Sequence, residues 1–67
     1  MNPVEALGEA LSSVFALRLA RAQVSKNEAE EQRLREYLIG NYGEGATAAI
    51  ERMAPKYIVM AALEKQP

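Results

Sequence analysis

Seven consecutive apolar residues, Tyr57-Ile58-Val59-Met60-Ala61-Ala62-Leu63, stand near the end of a chain of 67 residues. If the run is helical, apolar groups point all around the axis, and so short a chain lacks the surface to cover them by itself. A single domain over residues 1–67 is expected, close to the lower size limit for a self-sufficient core. Domains of this size usually add a staple. There is no Cys for a disulfide, and without Cys or His a structural zinc site has no ligand set. Association is the staple that remains, so the sequence predicts a chain completed by an interface.

The formal net charge of −1 and a pI near 5.3 argue against non-specific attraction to nucleic acid or to an anionic membrane. With 25% charged and 49% apolar residues, the composition is that of a folded protein rather than a disordered one. The longest apolar run falls far short of the roughly 20 residues that span a bilayer. Glu5 and Glu9 precede the first basic residue, Arg18, which suits neither a signal peptide nor a transit peptide. A cytoplasmic location is therefore expected.

The pattern along the chain predicts an all-α fold, a small bundle of three to four helices over about 3–24, 26–39, 46–53 and 55–65. Asn2-Pro3 offers a cap and a first helical residue. Val4, Leu7, Leu11, Val14, Leu17, Ala20 and Val24 then follow at helical spacing, with Phe15, Leu19 and Ala22 beside that stripe and Ser12 and Ser13 opposite. Gly8 lies inside this helix and would cost about 1 kcal/mol relative to Ala. Ser25-Lys26-Asn27-Glu28 reads as a capping box, which favours two helices over one continuous helix between residues 3 and 39. Gly40 is placed to close the second helix in a left-handed conformation. Pro55 should divide the remainder into two pieces, the alternative being one kinked helix.

Several motifs invite a chemical reading. Gly40 and Gly45 followed by Ala46-Thr47 approach a phosphate loop, and Gly43-Glu44-Gly45-Ala46-Thr47-Ala48 approaches a dinucleotide fingerprint. Both need a preceding strand; here a helix precedes, the Lys is missing and Glu44 would repel an anion. Glu28, Glu30, Glu31 and Glu36 lack the His that bundle di-metal sites require, whereas Glu30–Arg33 and Glu31–Arg35 have the spacing of surface ion pairs. Ser12, Ser13, Ser25 and Thr47 are framed by no nucleophile motif. No enzyme activity, cofactor, metal or small-molecule substrate is expected.

What remains is an interaction protein: a non-catalytic regulator, inhibitor or adaptor that forms a homodimer and binds another protein. The first and last helices would share the interface, through Leu11, Phe15 and Leu19 on one and Tyr57, Ile58, Val59, Met60 and Leu63 on the other. Ala54, Ile58 and Ala62, with Val59 and Leu63, form the stripe left without an intrachain partner. A second reading is a dimeric DNA-binding transcriptional regulator that contacts nucleic acid through Arg18, Arg21 and Lys26 within the Arg18–Arg35 region. A third is a structural subunit of a larger assembly.

Overall fold

The computed structural model describes residues 8–65, and the regular structure there is entirely helical. Two elements, α1 (Glu9–Val24) and α2 (Glu28–Lys65), pack against each other as a helical hairpin. A straight helix of 38 residues would reach about 57 Å, yet the longest dimension is 41 Å. The element doubles back at Gly43, whose backbone (φ 90°, ψ 167°) is the non-helical point inside it. Arm 28–42 and arm 44–65 are fastened across the bend by Arg35 Nε, which donates to Glu51 Oε1 at 2.8 Å. Arg35 also lies 3.6 Å from Glu31, one turn back.

The joint between α1 and α2 falls at residues 25–27, where the sequence places a break. Its capping differs from the expected box. Ser25 is still right-handed and ends α1, and Lys26 takes a positive φ of 56°. The Asn27 N–H donates to the Ala22 carbonyl at 2.9 Å and the Lys26 N–H to Gln23 at 3.1 Å, which is a Schellman closure with Lys in the position glycine usually holds. Asn27 then starts α2 itself, its Oδ1 accepting from the Glu30 N–H at 3.2 Å. The cap of α2 is Asn27 and not Ser25, because the Schellman turn consumes Ser25 and Lys26 first.

Other boundaries move as well. The Asn2-Pro3 helix start lies outside the described residues. Gly8 is not interior to a helix but precedes α1, with φ 92° and ψ 137°. Gly40 does not close a helix: the helix runs on through Asn41 and Tyr42, and the break falls three residues later. At the break, Asn41 Nδ2 donates to the Tyr37 carbonyl at 2.8 Å and Thr47 Oγ1 to the Gly43 carbonyl at 2.9 Å. Pro55 does not divide arm 44–65, and Ala54 before it stays helical and fully buried. The exposed proline removes one backbone donor, and the burial of Ala54 and Ala61 on either side of it holds the helix through that loss.

The core joins Phe15, Ala16 and Leu19 of α1 to Leu34 and Leu38 of the first arm and Ile50 and Ala54 of the second. Leu19, Leu38 and Ile50 are 0% exposed. The large-residue stripe of α1 is therefore not the core face: Leu11 and Val14 are exposed, while Ser12, Ala16 and Ala20 are buried. Small residues at spacings of four let helix axes approach closely, so α1 turns its small side, with Phe15 and Leu19, toward α2. Arm 44–65 is likewise covered differently from expectation. Ala54 is buried and Ile58 and Ala62 are half-buried, leaving Val59, Met60 and Leu63 outside.

The two glycines at the bend should respond oppositely to the same change. A Cβ would meet nothing within 4 Å at either, so only backbone preference decides. Gly43→Ala should lower stability by about 1–3 kcal/mol, since its φ and ψ belong to a region nearly reserved for glycine. Gly40→Ala, within a helix, should raise it by up to about 1 kcal/mol. Urea unfolding of both variants checks this; equal effects would mislocate the bend.

Candidate interaction surface

Two separate apolar surfaces remain among the described residues. The first is the outer face of arm 44–65. Val59 lies about 180° around the helix from Ile50, and Leu63 about 140°, at 100° per residue. Consequently Val59 is 68% and Leu63 60% exposed, and Met60 is exposed as well. Tyr57 and Ile58 are half-buried, Tyr57 packing on the core cluster. Of the other residues singled out from sequence, Phe15 and Leu19 are spent inside the chain's own core, and Leu11 is exposed on α1, away from this face.

The second surface lies where α1 meets arm 28–42. Phe15 forms its floor, its ring centroid 5.9 Å from Tyr37 and 6.1 Å from Tyr42, and the two tyrosines stand edge-on at 6.4 Å. Such offset and edge-to-face triads are favourable geometries for aromatic rings. Tyr37 and Tyr42 nevertheless remain exposed, as do Leu11 and Val14 on the neighbouring ridge of α1. One helical step further along, the seam opens into a cleft of 330 Å³ lined by Phe15, Arg18, Glu30, Arg33, Leu34 and Tyr37. Sequence reasoning missed this surface. Neither Tyr37 nor Tyr42 stands out from spacing alone, because a bend at Gly40 would separate the two, whereas the bend falls at Gly43 and both lie on one helical arm.

The basic residues are distributed among carboxylates. Arg21 makes a two-pronged bond with Glu64, Nε to Oε1 at 3.0 Å and Nη2 to Oε2 at 2.7 Å, tying the end of α1 to the end of arm 44–65. Arg33 Nη1 lies 3.3 Å from Glu30 Oε2, a pair the spacing predicts. Of Arg18, Arg21 and Lys26, only Arg18 and Lys26 have no carboxylate at ion-pair distance among the described residues. Lys26 projects from the joint, while Arg18 faces the cleft.

Potential chemistry is sparse. Gly40 to Thr47 is helical apart from Gly43, and Thr47 Oγ1 is engaged with the backbone. Ser12 is fully buried and its hydroxyl has no hydrogen-bond partner among the described residues. Among the described residues no group of three or more side chains is placed to hold a metal ion, and no helix is long and apolar enough to cross a membrane.

The Arg21 hydrogen bonds, aided by its charge, hold the Glu64 carboxyl below its ordinary pKa, and Glu64 raises that of Arg21 in turn. A lowered carboxylate pKa stabilises the fold fully above the unfolded value, about 4.3. That contribution is lost as pH falls through the lowered native value. The Glu64 carboxyl carbon, followed by NMR, should titrate below the ordinary glutamate range, and Arg21→Gln should return it to that range. A Glu64 titration unmoved by that change would show the clasp to be absent in solution.

No family model, no curated protein and no solved structure matches this chain, so its function is read from its own surfaces.

Proposed function

We propose that the chain is a non-catalytic protein-interaction protein, a regulator, inhibitor or adaptor, that works as a homodimer through the outer face of arm 44–65. The observation carrying this reading is the exposure of Val59 and Leu63 on the side of the helix opposite Ile50, Ala54 and Ala61. Each copy supplies three helical segments around a core whose largest fully buried side chains are Leu19, Leu38 and Ile50. A second copy laid along Val59, Met60 and Leu63 completes the helical bundle that one chain leaves one-sided. Stable interfaces take about 800 Å² from each partner, roughly a sixth of the 4535 Å² accessible on the described residues. The alternative use of Arg18, Arg21 and Lys26 on nucleic acid is weakened by the commitment of Arg21 to Glu64.

Sedimentation equilibrium at micromolar concentration should give twice the 7.4 kDa chain mass. Leu63→Asp should yield a folded monomer with unchanged helicity, because an unpaired charge in a dry interface costs several kcal/mol and Leu63 lies outside the chain's own core. A wild-type chain that sediments as a monomer overturns the homodimer.

A further inference from the structure

We infer that the groove between α1 and arm 28–42 is a second docking site, which receives an amphipathic helix of a partner protein carrying apolar anchors and, about two turns along, a carboxylate. The inference rests on reading this chain as a protein-binding module, but not on its being a homodimer. The groove has two chemically distinct ends. At one end Tyr37 and Tyr42 are exposed around the buried ring of Phe15, and Leu11 and Val14 are exposed on the side of α1 that carries Arg18, within about 40° of it at 100° per residue. At the other, Arg18 and Arg33 flank the 330 Å³ cleft over Leu34.

Leu11 and Arg18 are seven residues apart on one helix, a rise of about 10 Å and close to two turns. A helix lying along the groove would meet that spacing with an apolar residue at one position and an acid seven residues away. Tyr and Arg are the residue types most enriched where interfaces carry their energy, and here they stand on the rim of one groove.

Charge sets the preference for an acid. Arg18 has no carboxylate at ion-pair distance among the described residues, and the Arg33–Glu30 pair is exposed and long at 3.3 Å. Exposed pairs of this kind contribute little, so Arg33 can exchange Glu30 for an incoming carboxylate. Glu30 is the single acid on the cleft lining, against two guanidinium groups. Nucleic acid fits less well. Duplex binding draws its strength from several neutralised phosphates, whereas this groove offers two cations separated by an acid and followed by apolar surface.

The test uses the full chain and two labelled helical peptides, identical except that the acid seven residues from a Leu/Phe anchor pair is Glu in one and Lys in the other. Fluorescence anisotropy at low salt should show the Glu peptide binding at least about tenfold tighter. Arg18→Glu, an exposed position, should reverse that preference, and Tyr37→Ala should weaken both peptides by about tenfold. Arg52→Glu makes the same change of charge on arm 44–65 and should leave the preference intact. Circular dichroism confirms the fold of each variant.

Equal affinity for the two peptides, or binding of neither, overturns the proposal. So does an Arg52→Glu effect as large as that of Arg18→Glu, which would reduce the preference to overall charge. Tighter binding of a duplex DNA that Arg18→Glu abolishes would overturn it in favour of nucleic acid. Because the Arg18→Glu and Tyr37→Ala responses report on the groove and the Leu63→Asp response on arm 44–65, failure of one reading is separable from failure of the other.

Discussion

The backbone of Gly43 is the constraint on which the remaining structure depends. Both arms of α2 have long stretches of helix-forming residues, and Gly40, Gly43 and Gly45 lie where the arms meet. Of these, Gly43, with φ 90° and ψ 167°, turns the chain back on itself. Only then can Ile50 and Ala54 reach Leu34, Leu38 and Phe15 to form one core. Arg35 bonding to Glu51 across the bend follows from the same turn, as does Thr47 bonding back to the Gly43 carbonyl. No side chain competes for the space at Gly43, so glycine is required there for its backbone freedom and not for room.

The core built on that bend is narrow, and small residues choose which faces meet. Ser12, Ala16 and Ala20 on α1, with Ala46, Ala54 and Ala61 on α2, are all buried. Close approach of the helices favours dispersion contacts over sheer apolar area. The larger residues Leu11 and Val14 are thereby turned outward. Burying Ser12, Ala16 and Ala20 to bring the helices together is what leaves Leu11 and Val14 for the second candidate surface.

Much of this was legible in the sequence. The all-helical class, the joint at residues 25–27 and the Glu30–Arg33 and Glu31–Arg35 pairs all follow from local spacing. Three things were not. Which glycine bends the chain depends on tertiary pairing of the arms, because Gly40 and Gly43 look alike locally. Pro55 stays within a helix since its neighbours Ala54 and Ala61 are held by the core, a force that propensity omits. The α1 core face does not follow hydrophobic size, since Ser12 sits at 0% exposure while Leu11 and Val14 lie outside. The Tyr37–Tyr42 surface was hidden by the same error at Gly40, and the exposure of Val59 and Leu63 was read correctly only as a surplus.

The clasp between Arg21 and Glu64 spans 43 residues of chain, whereas each neighbouring pair of helical segments is joined by a tight turn. Chain-closure entropy therefore favours the two local pairings first, and leaves the docking of arm 44–65 alongside α1 as the late, long-range event. On the way out the order reverses. The last turns of arm 44–65 are held by Ala61 and an exposed ion pair, so among the described residues they should be weakly protected toward hydrogen exchange. Val59 and Leu63 ride on that segment. A companion that lies across them would raise protection there most, coupling the order of this chain's final turns to whether its outer face is occupied.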